Sequence, residues 1–502
     1  MPASLSQLLV KARTLVSEPL YRGTLLLLIN SGLLSVLGFA FWALAAREYP
    51  ASTIGSFSGL YAGIGLLSAI ASLGLQNLVT RHIASSDSQR GLMLLVIGSI
   101  TLLGGTLCAV VVLAVGPHLP ASLHLQAHGQ SIALFTALVV TSSLCGVLNA
   151  GLVAVRAPSA VLWTNLVGAV ARLVALVALA SLHSYGLLLS YGLGLFLSTI
   201  LSVPPLVAKT SRGHGVEEAV TAVRNYLTTT VQSYIATIFG IVPSSVVPLI
   251  IIAELGAART ASFSVAALIA GSLNIIPSTT AQVFFAEVSR RRETMTEQLR
   301  KAIKAIYSIM IPLLLLILFA APFILRVFGS SYAEQGTSVL RVLSLTSLFS
   351  AGNYLVDSML IARDRGGAYL FMNAANAVFV LVCVSALLSR GITGAAIGWA
   401  ISQVASLLLG LAVMATGRSG RHRRRALDAT SAVAEEEIRA QPSSHAAAST
   451  DTVAVLSQRR GVSDIERWFA IYARLYQARP HPFCNSRSGL GGGRPNHGRN
   501  FG

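Results

Sequence analysis

The chain has 502 residues, of which 54% are hydrophobic and only 11% charged, and it carries a formal net charge of +18. Soluble domains run near 25% charged residues, so this composition excludes an ordinary globular enzyme. It also excludes a soluble nucleic-acid binder, because the basic residues are spread over short polar segments with no aromatic platform beside them.

Twelve apolar stretches follow one another along the chain: 25–46, 57–79, 92–115, 132–153, 161–182, 187–208, 226–252, 261–286, 306–325, 343–361, 369–388 and 395–415. Each has about the ~17–25 residues that a helix needs to cross a hydrocarbon core. Runs this long and continuous are helices rather than barrel strands. The expected fold is therefore an all-α polytopic membrane protein with twelve transmembrane helices. Lys and Arg alternate between the connections, 22 on the side of both termini against five (Arg47, Arg259, Arg326, Arg341, Arg390) on the other. The positive-inside rule then places both termini in the cytoplasm.

The predicted organisation is a cytoplasmic N-terminus (1–23), a first lobe of six helices (24–208), a polar cytoplasmic linker (209–225), a second lobe of six (226–416) and a basic tail (417–502). The first apolar stretch exceeds the ~7–15 residues of a signal-peptide core, so it reads as a helix. No residue-level repeat between the halves is visible, although a pair of six-helix bundles with substrate between them is a common transporter plan. The tail reads as mostly disordered. Within it, Arg421–Arg425 suits anionic lipid, and 464–478 has the spacing of a short amphipathic helix behind a capping box. No disulfide framework, zinc spacing or cofactor motif is present. His118, His124 and His128 share a loop that reads as solvated rather than metal-binding.

Aromatic residues at stretch ends, among them Trp42, Tyr49, Tyr226 and Tyr332, read as interfacial belts. Gly55, Gly59 and Gly63 repeat every four residues and allow close helix packing. Pro243 and Pro248 interrupt the seventh stretch, which is the best hinge candidate in the chain.

Arg172 lies in the middle of the fifth stretch. Placing a guanidinium there costs roughly 2.5–3.5 kcal/mol on insertion scales and 10–17 in simulations, so it faces protein or water. Asn165, Gly168, Ala169 and Arg172 share one helix face. No acid lies within the first six stretches, so the pairing alternatives are an anionic ligand, backbone carbonyls or an acid of the other half. In the second half Asp357 follows Asn353 by one turn, with Arg363 as a candidate partner. Further amides are Asn30 and Asn149 in the first half, and Gln232, Asn274, Asn373 and Asn376 in the second. They either bridge helices or line a wet cavity that accepts sugar.

Gly38-Phe39-Ala40-Phe41-Trp42-Ala43-Leu44-Ala45-Ala46-Arg47, Gly55-Ser56-Phe57-Ser58 and Leu73-Gly74-Leu75, followed by Arg81, resemble polysaccharide-biosynthesis membrane proteins. These include the O-antigen flippases of the multidrug/oligosaccharidyl-lipid/polysaccharide (MOP) exporter superfamily. The resemblance in layout covers about residues 20–416. It implies two six-helix lobes in a V, alternating access, residence in a bacterial cytoplasmic membrane, and work alongside polysaccharide-assembly proteins. The implied substrate is a polyprenyl-pyrophosphate-linked oligosaccharide moved from the cytoplasmic to the outer leaflet. Cationic side chains in the cavity are expected, a role that Arg172 fits. Arg47 and Arg81 match motif positions with a gating or structural role.

Three functions compete. A flippase would hold pyrophosphate at Arg172. A MATE-type multidrug cation antiporter would need a membrane carboxylate, for which only Asp357 serves. A membrane glycosyltransferase or polymerase would gather acids and bases on a large outer loop, and the connections are too short for one. The expectation is a transporter, not an enzyme.

Overall fold

The computed structural model describes residues 19–80, 90–115, 129–209, 216–290 and 295–440. Residues 1–420 form one compact unit, and a second begins at Arg421. The described elements are all helical: α1 (Pro19–Glu48), α2 (Ala51–Ala71), the single turn α3 (Leu75–Leu78), α4 (Arg90–Val115), α5 (Gly129–Ala154), α6 (Pro158–Ala178), α7 (His183–Ala208), α8 (Val216–Leu255), α9 (Ala257–Leu273), α10 (Ile275–Arg290), α11 (Met295–Arg326), α12 (Ser330–Ala362), α13 (Gly366–Leu387) and α14 (Gly391–Ala440). Eleven spans among them are long and apolar enough to cross a membrane.

The last of these spans, Gly366–Thr416, is 51 residues long. At 1.5 Å per residue it is about twice what one crossing needs. It turns back at a short 3₁₀ segment, Leu388–Arg390. Three contacts mark the return: Gly398 against the Cys383 backbone, Asn376 bonded to Gln403 and Ser406, and Gly410 against Met372. As one residue number falls the other rises, which is the signature of an antiparallel hairpin. The crossings therefore number twelve, six on each side of the polar segment after Lys209.

Several boundaries differ from those predicted. The second stretch starts earlier and breaks at Ser72–Gly74, where Leu73 and Gly74 have φ of 48° and 69°. The fifth helix stops at Ala178 and finishes as a 3₁₀ turn. α8 starts at Val216, inside the expected linker, and runs unbroken through Pro243 and Pro248. α14 continues to Ala440, past the point where the tail was expected to begin. Arg81, the histidine loop and residues 464–478 lie outside the described residues, and of Arg421–Arg425 only the helical backbone is described.

The structure also reveals a repeat that composition hides. Helices α5–α7 and α12–α14 correspond residue by residue, 208 positions apart. Arg156 and Asp364 occupy the same left-handed turn (φ 54° and 55°). Each turn is closed by the same six-to-one hydrogen bond, Ala157 N to Leu152 O at 2.9 Å and Arg365 N to Leu360 O at 3.0 Å. A Cβ on Gly186 would overlap the Leu179 carbonyl, and one on Gly394 would overlap the Leu387 carbonyl. These two glycines fix the far-side turns of both lobes by allowing backbones to touch.

The main core joins the lobes. Phe41, Phe57 and Leu176 of the first half pack in one cluster with Ile251, Phe263, Leu325 and Phe328 of the second. Two smaller clusters lie nearer the linker face, the face where α7 ends and α8 begins: one within the second lobe, the other built from first-lobe residues and the start of α8. Replacing Gly186 or Gly394 by alanine should lower stability by about 1–3 kcal/mol through overpacking. Thermal unfolding in detergent will show this as a reduced Tm for both variants; an unchanged Tm for either would mean the turn is not built as described.

Candidate functional site

Polar side chains within the spans gather in two clusters at matching positions of the repeat. In the first lobe, the Asn165 amide donates to Asn30 Oδ1 at 3.4 Å, and Asn165 Oδ1 accepts from Ser198 (3.1 Å) and Asn149 (3.4 Å). In the second lobe, Asn376 Oδ1 accepts from Gln403 (3.0 Å) and Ser406 (2.9 Å), and Gln403 accepts from Asn353 at 2.9 Å. The 208-residue offset pairs Asn149 with Asp357, Asn165 with Asn373 and Ser198 with Ser406. Asn373 lies within hydrogen-bond reach of the Asp357 carboxyl, as Asn149 does of Asn165.

The second cluster meets open space. A cavity of about 550 Å³ lies between the lobes, within the ~300–1,000 Å³ of small-molecule sites. Trp42, Ser58, Tyr61 and Ala62 form its first-lobe wall. The rest comes from α8, α9, α12, α13 and α14, including Pro243, Pro248, Asn274, Asn353, Asp357, Asn373, Asn376, Trp399, Gln403 and Ser406. Asp357 is the one carboxylate in that wall, which contains no Lys, Arg or His. Three lining oxygens are buried without a hydrogen-bond partner among the described residues: Asn274 Oδ1, Asn353 Oδ1 and Ser264 Oγ. Asn149 Oδ1, Tyr332 Oη and Ser344 Oγ, away from the cavity, are unpartnered in the same way, and each unmatched buried polar atom costs about 1–3 kcal/mol.

Five of the nine amides and acids predicted to bind substrate line the cavity: Asn274, Asn353, Asp357, Asn373 and Asn376. Asn30, Asn149 and Asn165 do not; they bond to one another inside the first lobe, with Asn149 Oδ1 left without a partner among the described residues. Gln232 is exposed and sits against Gly366 at the linker face. Arg363 turns to the sulfurs of Met295 (3.4 Å) and Met414 (3.8 Å).

Arg172 is likewise absent from the cavity wall. The small-residue face predicted to open onto a cavity packs against α7 instead: a Cβ on Gly168 would lie 2.5 Å from Gly194 O, and one on Gly194 would lie 2.7 Å from Arg172 Cβ. Two glycines bring the helices too close for a cavity there. The half-buried guanidinium lies over the rings of Phe41 (5.4 Å) and Tyr191 (5.3 Å). Tyr191 meets Tyr61 edge-on at 5.5 Å, and Tyr61 lines the cavity. Arg172 therefore stands one aromatic layer behind the wall, with no acidic partner among the described residues. Cation–π contacts of about 0.5–2 kcal/mol each contribute to holding it there. Its counterpart in the repeat is the buried Val380.

Four aromatic residues assigned to interfacial belts play other parts. Trp42 packs on Phe57 and Tyr61 and lines the cavity. Tyr49 is buried and donates to Leu176 O at 3.1 Å. Tyr332 is buried, and Tyr226 is buried and hydrogen-bonded to Gly74 O. Each stands at a stretch end in sequence, but the helix ends there meet other helices rather than headgroups. Arg47 donates through Nε to Val327 O at 2.9 Å, capping the end of α11 across the lobe boundary. Sequence reasoning missed Tyr61, Trp399, Gln403 and Ser406; for Ser406, its 208-residue spacing from Ser198 was the available signal.

No family model and no curated protein matches the chain. Solved structures do. One is an inward-facing multidrug resistance MATE family transporter of the MOP superfamily, at 18% identity and a TM-score of 0.60, over 79% of this chain and 96% of that one. Another is the lipid II flippase MurJ in an inward closed conformation, at 14% identity and 0.61, over 77% and 86%. A third is a MATE protein in complex with MaD5, at 16% and 0.53, over 82% and 98%. At these identities the likeness shows the fold: two six-helix lobes of the kind found in MOP superfamily transporters.

Gln403 ties three second-lobe groups together, since Ser350 also donates to it, at 3.3 Å. Gln403→Ala should cost about 1–3 kcal/mol by removing one bond each from Ser350, Asn353 and Asn376, the last two keeping the residue 403 main-chain O and the Ser406 hydroxyl, respectively, as partners. Gln403→Glu should restore most of the Asn353 contact but not the Asn376 one. Unfolding measured for both variants checks the order wild type, Glu, Ala.

Proposed function

We propose that the chain is a flippase that carries the polar head of a lipid-linked oligosaccharide through the interlobe cavity by alternating access. The observation that carries this reading is the cavity wall: an array of amide and hydroxyl acceptors and two indoles. Sugar hydroxyls donate hydrogen bonds to such acceptors, and sugar rings stack on tryptophan. The cavity volume suits a head group, so the polyprenyl chain stays in lipid beside the lobes. Direction follows the charge asymmetry of the connections, with the linker face cytoplasmic and transport outward. An inside-negative potential favours outward movement of anionic charge by about 2.3 kcal/mol per charge per 100 mV.

The pyrophosphate finds no cation in the cavity wall. In this reading Arg172 meets it only in a conformation where Tyr61 and Tyr191 have moved aside. A planar guanidinium then exchanges ring faces for phosphate oxygens, a substitution that lysine performs poorly. Arg172→Lys should therefore lower export although the charge is kept.

A second reading has its own observation. Asp357 is the one ionisable carboxylate of the wall, which suits a cation-exchanging multidrug antiporter. Asp357 lines the cavity in either reading, so substrate decides between them. Deleting the gene should cause a lipid-linked glycan to accumulate on the cytoplasmic leaflet without sensitising cells to cationic drugs; drug sensitivity with no lipid intermediate would favour the antiporter. Asn353→Leu, which removes an acceptor while filling its space, should reduce glycan export about tenfold, the worth of one hydrogen bond near 1.4 kcal/mol. Export assayed in spheroplasts with the purified lipid intermediate provides the measurement.

A further inference from the structure

We propose that Tyr226 and Tyr234 form a releasable clasp that closes the linker face of the cavity by gripping the broken end of α2. α2 belongs to the first lobe, and α8, which bears both tyrosines, opens the second. The Tyr234 hydroxyl donates to Ile70 O at 2.9 Å, and the Tyr226 hydroxyl donates to Gly74 O at 3.2 Å. Those carbonyls flank the break at Ser72–Gly74, where two successive left-handed residues take the backbone out of the helical ladder. Gly74 serves twice: it adopts φ 69° and leaves room for a ring, since a Cβ there would lie 3.2 Å from Tyr234 Cδ2.

The position of the clasp makes it a gate. On α2 the cavity lining ends at Ala62, and on α8 it begins at Gly240. Ile70 lies about 12 Å beyond Ala62 along the helix, and Tyr234 about 9 Å before Gly240, both toward the linker face. The inner end of α8 is moreover embedded in the first lobe. Val223 and Tyr226 belong to the same apolar cluster as Leu75, Leu78, Met93 and Val147, whereas Val247 and Ile251 at its other end pack in the core shared by the two lobes. Parting the lobes at the linker face therefore has to break these two hydroxyl bonds. Each is an ordinary neutral hydrogen bond of about 1 kcal/mol net, strong enough to bias a two-state equilibrium and weak enough to open in each cycle.

The inference rests on the alternating-access reading, not on the choice of substrate. Its test needs no substrate, so its failure leaves the glycan reading standing. Ser264→Cys places a thiol in the cavity wall, and mass spectrometry reads its labelling by an impermeant thiol reagent separately from the native cysteines. Right-side-out and inverted vesicles present the two faces. Adding Tyr226→Phe and Tyr234→Phe should raise labelling from the linker face several-fold and leave labelling from the opposite face the same or lower. Unchanged labelling from the linker face in a pair that keeps its wild-type Tm would overturn the clasp. A reciprocal arm covers a pair that folds poorly: Ile70→Cys with Tyr234→Cys, bridged by a short bis-thiosulfonate, should abolish linker-face labelling until the bridge is reduced. Labelling that persists through the bridge would contradict the proposal equally.

Discussion

Hydrocarbon gives no partner to a polar atom, and that constraint arranges this molecule. Every amide, hydroxyl or ion within the spans must be satisfied by protein or face an aqueous gap. The first-lobe amides bond to one another, although Asn149 Oδ1 stays unpartnered among the described residues. In the second lobe Gln403 and Asn376 hold the cluster together, and Asn274, Asn353 and Asp357 are among the residues that line the space between the lobes.

Helices α5–α7 and α12–α14 match in their turns, yet they differ at two positions that carry charge. Asn149 in one corresponds to Asp357 in the other, so the carboxylate and the open cavity occur together in the second lobe. Arg172 corresponds to Val380, so the deep cation is confined to the first lobe. An acid at the cavity and a base one ring layer behind it make a polarity across the lobe boundary that neither copy has alone. Tyr61 and Tyr191 separate the two charges. Whatever moves those rings changes which charge the cavity contains.

Much of the fold was legible in the sequence, because hydropathy and charge alternation report directly on crossings. All twelve stretches are helices, including the pair that length alone would merge into one. The repeat was hard to read: its identities fall mostly on leucine and alanine, which any membrane helix supplies, and its few polar identities, such as Asn165 with Asn373 and Ser198 with Ser406, are isolated single residues. The site was half legible. Asp357, Asn353, Asn373 and Asn376 stood out as polar residues in apolar runs. Arg172 stood out for the same reason, but sequence could not show that Gly168 and Gly194 close the space beside it. Trp42 and Tyr226 lie at stretch ends, where an interfacial role is the usual one, and only tertiary contacts reveal that they face protein.

The central claim is that the space between the lobes receives a glycan head group. Photo-crosslinking tests it most directly. A benzophenone amino acid at Ser264, which lines the cavity, and another at Val174, on an exposed face of the first lobe, would be activated in membranes containing radiolabelled lipid-linked oligosaccharide. The account predicts capture of labelled glycan at 264, competed by excess unlabelled substrate, and no competable capture at 174. Equal capture at both positions, or capture at 264 displaced by a cationic drug and not by the glycan lipid, would contradict it.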